Sequence, residues 1–93
     1  MKKRERTEII YDVLKAIQNK GGEAKPTHIL YKSNLSSQMM NEYLDFLLEK
    51  DFIKRTETKK AKYYSLKDKG YKYIEDYARI REFMDSYDLD ENQ

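Results

Sequence analysis

The sequence predicts a mainly helical α+β domain whose element order is helix, helix, helix, two-stranded hairpin, helix. Three observations support this prediction. Apolar residues recur at helical spacing over about residues 5–19 and 37–50. Residues 52–66 change to β-branched and aromatic side chains around a lysine-bearing turn, which is typical of a hairpin. Residues 68–87 then repeat apolar side chains at heptad spacing, which indicates a helix with a seam for another helix.

Glycine and proline delimit the first two helices. In the first helix the apolar residues share one face, and they are Ile9, Ile10, Val13, Leu14 and Ile17. Gly21 and Gly22 end this helix, because glycine adopts the left-handed conformation at little cost. Pro26 suits the first turn of a second helix over about residues 26–32, where its missing N–H is not needed. Residues 23–25 could pair as a very short strand.

The third helix has an uneven distribution of charge. It follows a turn over residues 33–36, with Ser36 as the predicted N-cap, and runs over about residues 37–50. One side is apolar and is predicted to face the core: Met40, Tyr43, Leu44, Leu47 and Leu48. The opposite side starts with neutral polar residues and becomes acidic only later: Ser37, Gln38 and Asn41, then Glu42, Asp45 and Glu49.

The net charge of +2 combines a basic body with an acidic C-terminal part. Residues 1–67 contain 15 Lys or Arg and 9 Asp or Glu, a net charge of +6. Residues 68–93 contain 4 and 8, a net charge of −4. This asymmetry fits an anionic partner that docks on the body alone, although uneven charge is common in small domains.

Together the elements predict a winged helix-turn-helix with a two-stranded wing. The second helix, the turn and the third helix form the helix-turn-helix, and the basic hairpin is the wing. The third helix of such a unit enters the major groove of double-stranded DNA by its N-terminal end. Acidic residues there would be repelled by phosphates, which explains the neutral start of this helix. Its predicted DNA-binding residues are Ser36, Ser37, Gln38 and Asn41.

Two further groups of side chains are predicted to contact the DNA backbone. The wing residues would bind phosphates without sequence choice, and they are Arg55, Lys59, Lys60 and Lys62. The residues that open the second helix form a weaker set: Lys25, Thr27 and His28. Each group also has an ordinary structural explanation. The polar face of the third helix could simply be solvated, and charges on a hairpin edge prevent aggregation.

The seam of the last helix predicts a homodimer. Its residues are Tyr73, Tyr77, Ile80, Met84 and Tyr87. A long amphipathic helix that reaches beyond a small body needs a partner, and twofold dimers are the commonest soluble oligomers. The alternative is a helix that folds back over its own subunit. The predicted organisation is thus a DNA-binding domain over residues 1–67, a dimerisation helix over 68–87 and a frayed acidic tail over 88–93.

The composition argues against several other classes of protein. The chain has no cysteine, and its single histidine, His28, has no second histidine to join it at a metal. Neither a nucleophile with a base nor a phosphate-binding glycine loop is evident, so we predict no enzyme activity, cofactor or small-molecule ligand. No apolar run approaches the roughly 20 residues that span a bilayer. We expect a soluble, cytoplasmic, nucleoid-associated protein.

Two segments, HILYKSNLSSQMMNEYLDFLLEKDFI and YYSLKDKGYKYIEDY, resemble the small archaeal winged-helix DNA-binding proteins, particularly the ten-kilodalton chromatin-type protein. The shared residues are Tyr31, Asn34, Leu35, Ser36, Tyr43, Leu44, Phe52, Ile53, Tyr64, Leu66, Lys69 and Gly70. The resemblance implies a homodimer joined by an antiparallel coiled coil, with DNA bound by the third helix and the wing. This sequence departs from the family at Asp51, where glycine is usual, and at Lys67, where threonine often caps the last helix.

These observations favour a dimeric transcriptional regulator. An architectural DNA-binding protein with little sequence choice would use the same residues. A protein–protein interaction module is the alternative from another class, because winged helices also act as scaffolds and the fold does not fix the function. The acidic side of the third helix fits that alternative better than it fits DNA.

Overall fold

Four helices and a three-stranded antiparallel sheet make up residues 4–88, the part of the chain that the computed structural model describes. The elements are α1 (Arg6–Gln18), β1 (Glu23–Ala24), α2 (Pro26–Ser33), α3 (Ser37–Glu49), β2 (Ile53–Glu57), β3 (Lys62–Leu66) and α4 (Asp68–Ser86). The predicted order and fold class are confirmed. Of the predicted acidic tail, residues 89–93 lie outside the described residues.

The sheet has the order β1-β3-β2, so β3 is its middle strand. The predicted hairpin is formed by β2 and β3, whose register runs from Ile53 opposite Leu66 to Glu57 opposite Lys62. On its other side β3 pairs with the two residues of β1, as expected for residues 23–25. The wing is therefore anchored at its base by a third strand that comes from the other half of the domain.

The core lies where α1 crosses the other elements. Its fully buried side chains come from α1, α2, α3 and β2, and they are Val13, Leu14, Ile17, Ile29, Leu44, Leu47 and Ile53. The apolar faces predicted for the first and third helices point into this core, although Tyr43 and Leu48 are only half-buried. Full burial of one such aliphatic side chain stabilises the fold by about 1.5–3 kcal/mol.

The turn between α2 and α3 is fixed by side chains and by one left-handed residue. Asn34 ends α2 with a φ of 56°, and its backbone N–H donates to the carbonyl of Leu30. Asparagine tolerates this conformation better than most residues. The Ser36 hydroxyl then accepts a hydrogen bond of 3.1 Å from the backbone N–H of Met39, which confirms it as the N-cap of α3. The orientation of α3 relative to α2 depends on this turn.

Asp51, one of the two positions at which the sequence departs from the family that it resembles, lies in the left-handed region. Its φ is 65°, and Phe52 N–H donates to the carbonyl of Leu47 as the chain leaves α3. The Asp51 carboxylate lies 3.3 Å from Lys67 Nζ, so these two departures from the family pattern pair with each other. Lys67 is the N-cap residue of α4 but makes no side-chain cap, and the Ser65 hydroxyl instead donates to the carboxylate of Glu23.

The first turn of α4 packs against the backbone between α3 and β2. A Cβ atom at Gly70 would lie 2.5 Å from the carbonyl oxygen of Phe52 and 3.3 Å from a methyl group of Leu66. The same Phe52 carbonyl accepts a hydrogen bond of 3.0 Å from Lys67 N–H. Gly70 is therefore required by the close approach of two backbone segments.

The two halves of α4 have different surroundings. In the first half Ile74 is buried, the Tyr73 hydroxyl donates to the carbonyl of Thr7 at 2.6 Å, and the Tyr77 ring lies 4.9 Å from that of Tyr11. In the second half the apolar side chains Ile80, Phe83 and Tyr87 are exposed. The radius of gyration is 13.8 Å. A compact domain of this length would have about 12 Å, so the end of α4 extends beyond the body.

The Gly70→Ala variant should be less stable than the wild type. In an exposed helix, glycine to alanine normally raises the free energy of unfolding by about 1 kcal/mol. Here the clash with the Phe52 carbonyl outweighs that gain, and we expect the free energy of unfolding to fall by about 1–3 kcal/mol. Urea unfolding followed by circular dichroism measures it. Lys72→Ala, at an exposed position two residues later, is the control and should change stability by less than about 0.5 kcal/mol. A Gly70→Ala protein as stable as the wild type would contradict this packing.

The tyrosine contact between α4 and α1 should make stability fall at high pH. Burial, and then the neighbouring Tyr77, raise the pKa of Tyr73 to about 12 from an ordinary value of 10. A raised pKa in the folded state favours the protonated phenol, so its contribution to stability is complete below pH 10 and is lost as the pH rises towards 12. Thermal melts between pH 9 and 12 measure this loss.

Tyr73→Phe should lower the melting temperature at pH 9, because the hydrogen bond to Thr7 is lost, and should then decline less steeply with pH than the wild type. Tyr31→Phe removes a phenol at a position that is 81% exposed and should follow the wild-type profile. Identical slopes for all three proteins would show that Tyr73 does not carry the effect.

Candidate nucleic-acid interface

The exposed start of α3 combines polar groups with free backbone donors. Ser37, Gln38 and Asn41 are all exposed, as the sequence predicts. Ser36 is exposed as well, but its hydroxyl already accepts the hydrogen bond from Met39 N–H. The first-turn residues of α3 include no acid, so the positive end of the helix dipole is not neutralised within that turn. This surface can donate and accept hydrogen bonds and attracts anions.

Acidic residues begin one turn into α3. Glu42 is exposed, and its carboxylate accepts a hydrogen bond of 3.3 Å from the side-chain amide of Gln38. Asp45 and Glu49 are exposed farther along the helix. Among residues 4–88, no lysine or arginine pairs with any of these three carboxylates. Helical periodicity places Gln38 and Glu42 on one side of the helix, but it does not show that the two side chains bond.

The tip of the wing is an ordered turn. Thr58 N–H donates to the carbonyl of Ala61 at 2.8 Å, and the Thr58 hydroxyl accepts from the backbone N–H groups of Lys60 and Ala61 at 3.2 and 3.1 Å. This leaves the ammonium groups of Lys59 and Lys60 exposed at the tip, without a carboxylate partner within the described residues. The role of Thr58 was not predicted, although threonine three residues before the end of a tight turn is a recognisable signal.

The other two wing residues are partly neutralised. Arg55 Nε lies 3.8 Å from a carboxylate oxygen of Glu57, and Lys62 is the cross-strand partner of the same glutamate. Both cations are exposed. One acidic side chain therefore reduces the positive potential on the strands next to the tip, and the excess of positive charge lies in the turn itself.

The start of α2 lines a cleft of about 500 Å³ that also includes residues of β1 and β3. The three predicted residues Lys25, Thr27 and His28 all line it, together with Lys20, Glu23, Ala24, Tyr31 and Tyr63. Lys25 Nζ lies 5.9 Å from the centre of the Tyr63 ring, as in a cation–π contact. The His28 Nε2 atom is buried and has no hydrogen-bond partner among the described residues. The structure thus brings this predicted set together.

The predicted dimer residues divide into two groups. Tyr73 and Tyr77 stack on each other with 5.9 Å between ring centres and are half-buried against their own subunit. Ile80 and Tyr87 are 56% and 65% exposed, and Met84 is half-buried. Sequence reasoning missed Phe83, which is 60% exposed and whose ring lies 5.1 Å from that of Tyr87. Its spacing of four residues from Tyr87 was the available signal.

The described residues contain no cluster of three or more His, Asp or Glu side chains that could hold a metal ion. Over the same residues, no helix is both long enough and apolar enough to cross a membrane.

Two relatives come from the archaeon Methanocaldococcus jannaschii. The uncharacterized protein MJ0290 is 40% identical over 55 residues, which are 59% of this chain and 25% of that protein. The uncharacterized protein MJ0287 is 33% identical over 84 residues, which are 90% of this chain and 80% of that protein. The chain thus spans about a quarter of the first relative and about four-fifths of the second.

Solved structures of small proteins share the fold. Sso10a-2, a DNA-binding protein from Sulfolobus solfataricus, superposes with a TM-score of 0.75 at 24% identity, over 91% of this chain and 90% of that one. A winged-helix DNA-binding protein from STIV superposes with a TM-score of 0.71 at 21% identity, over 84% of this chain and 90% of that one. The resemblance to small archaeal winged-helix proteins is thereby confirmed.

A sequence model of the winged helix-turn-helix matches residues 3–85, which include every helix and strand of the fold except the last residue of α4. Winged helix-turn-helix proteins are DNA-binding proteins and not enzymes, in agreement with the expectation that the chain has no enzyme activity. The helix-turn-helix of α2 and α3, the wing of β2 and β3, and this match together show that the chain belongs to the winged helix-turn-helix family.

Proposed function

We propose that this protein binds double-stranded DNA as a homodimer and regulates transcription, with the start of α3 in the major groove and the wing on the sugar–phosphate backbone. Two features carry the proposal. The exposed side chains near the N-terminus of α3 are uncharged, and the wing ends in an ordered turn that presents two lysines without a carboxylate partner among the described residues.

The start of α3 has the chemistry that base edges require. Amide side chains such as those of Gln38 and Asn41 can bond to an adenine edge in a bidentate way. The Ser36 cap keeps the first turn helical, so these side chains extend from a rigid element. Asp45 and Glu49 lie farther along the helix, where they can stay outside the groove.

The wing has the chemistry that phosphates require. Lys59 and Lys60 are exposed and unpaired among the described residues, and the Thr58 turn holds their backbone. Lysines that neutralise phosphates release counterions, so affinity should depend steeply on salt. Sso10a-2 and the STIV protein are DNA-binding proteins with the same fold, which supports DNA binding by this chain.

The end of α4 supplies the surface for a second copy. Ile80, Phe83 and Tyr87 form an exposed apolar strip on a helix that extends beyond the body. Isolated apolar residues on a surface need no explanation, but a strip along one helix face does. Pairing two such helices would bury it and would hold two α3 helices for two DNA half-sites.

Two alternatives use the same surfaces differently. An architectural protein would bind DNA evenly across sequences, whereas a regulator needs side chains that choose bases. A protein–protein module would use the acidic side of α3, and it would bind no DNA through the wing. The neutral, amide-bearing start of α3 favours a regulator.

Replacing the two tip lysines should weaken the salt dependence of DNA binding. Fluorescence anisotropy on a mixed-sequence duplex across a salt series gives log affinity against log salt, whose slope is about 0.9 per neutralised phosphate. The Lys59→Gln/Lys60→Gln variant should bind more weakly and with a slope shallower by roughly one to two units.

The matched control is Lys69→Gln/Lys72→Gln, which has the same net charge but changes exposed lysines on α4. It should keep the wild-type slope. Equal slopes for the two variants would show that the tip lysines do not specifically neutralise DNA phosphates. A wild-type protein that binds no duplex at low salt would overturn the proposed function.

A charged side chain in the exposed apolar strip of α4 should dissociate the proposed dimer into monomers. Sedimentation velocity at micromolar concentration should give a dimer mass for the wild type and a monomer mass for Ile80→Lys, because a buried unpaired ammonium is costly. Ala78→Lys adds the same charge at another exposed position of α4 and should remain dimeric. A wild-type monomer, or a dimeric Ile80→Lys protein, would show that this strip is not the interface.

A further inference from the structure

We infer that Glu42, through its hydrogen bond with Gln38, determines which base the recognition helix accepts. The inference rests on the proposed function and adds a base preference to it. Glu42 is the first carboxylate on the exposed side of α3, one turn from the helix start. A carboxylate so near the groove opposes binding to every DNA sequence, so a specific role is needed to explain it.

The chemistry of the two side chains fixes their arrangement. An ionised carboxylate only accepts hydrogen bonds, whereas an amide has a donor end and an acceptor end. Gln38 must therefore turn its NH₂ group towards Glu42, and Nε2 lies 3.3 Å from the carboxylate oxygen. One N–H of Gln38 is used in this contact. Its carbonyl oxygen, its second N–H and the second oxygen of Glu42 remain for a partner.

Among these free groups, acceptors outnumber donors. In the major groove, adenine and cytosine present an exocyclic amino group, whereas guanine and thymine present only acceptors. An amino group can donate to the Gln38 carbonyl oxygen or to the free Glu42 oxygen. Against guanine or thymine the same oxygens would be unpaired and would repel the base edge. The pair should thus favour an adenine or cytosine at the base that it faces.

Glu42 acts in this scheme as a positioning residue for Gln38 and as a direct acceptor. Without the carboxylate, the Gln38 amide could rotate by 180° and present its NH₂ group to guanine or thymine. The negative charge also lowers affinity for every sequence. Specificity is a difference between affinities, and such a uniform penalty is tolerable when the correct base offsets it.

The test is a selection from duplexes randomised over twenty base pairs, followed by anisotropy on matched duplexes that differ at the selected position. The wild type should prefer the amino-bearing base over guanine or thymine by roughly tenfold. Glu42→Gln keeps the size of the side chain and removes the charge. It should bind the guanine- and thymine-bearing duplexes more tightly than the wild type does, should gain less affinity for the preferred duplex, and should therefore lose most of that preference.

Two controls separate this role from charge alone. Asp45→Asn removes one carboxylate farther along the same exposed side. It should raise affinity for all duplexes and keep the preference. In a Gln38→Ala background, Glu42→Gln should change the base preference less than it does in the wild type, because the orientation of Gln38 no longer matters and only the direct contact of Glu42 remains.

The outcomes distinguish this inference from the proposed function. If Glu42→Gln keeps the wild-type base preference, or if the wild type shows none, DNA binding stands and the role of Glu42 is refuted. A wild type that binds no duplex at all overturns both. Melting temperatures of the variants near that of the wild type would confirm that the exposed substitutions leave the fold intact.

Discussion

The backbone around Leu66 joins the two halves of this domain. Leu66 N–H donates to the carbonyl of Gly22 in the turn after α1, and the N–H of the next residue, Lys67, donates to the carbonyl of Phe52, which lies between α3 and β2. β3 thus connects β1 on one side with β2 on the other before α4 begins. Gly70 must lack a side chain because α4 starts directly over this junction. The wing, α3 and α4 all take their relative positions from it.

Much of this architecture could be predicted because it depends on local chemistry. The helix ends are set by Gly21, Pro26 and Ser36, whose conformational preferences or hydrogen bonds act within one turn. The hairpin was predictable because the helical spacing of apolar residues gives way to β-branched and aromatic side chains on both sides of a lysine-bearing turn. The exposed residues at the start of α3 were predictable for the same reason, since a helical wheel needs only the spacing and the core face.

The rest depends on contacts between distant segments, which periodicity does not specify. The seam of α4 predicted apolar residues correctly but could not show that Tyr73 and Tyr77 contact α1 through Thr7 and Tyr11. The apolar strip left at the end of the helix is therefore shorter, and it includes the unforeseen Phe83. Similarly, the spacing placed Gln38 and Glu42 on one side of α3 but could not show the hydrogen bond between their side chains.

The turn closed by Thr58 affects the thermodynamics of any encounter at the wing. A flexible loop must surrender backbone conformational entropy when it is held against a partner, at about 1–2 kcal/mol for each residue that becomes fixed. Here the hydroxyl and backbone hydrogen bonds have already restricted residues 58–61. The remaining entropic cost falls mainly on the rotamers of the Lys59 and Lys60 side chains. A preorganised backbone that carries mobile cations can follow a phosphate chain of variable shape without refolding.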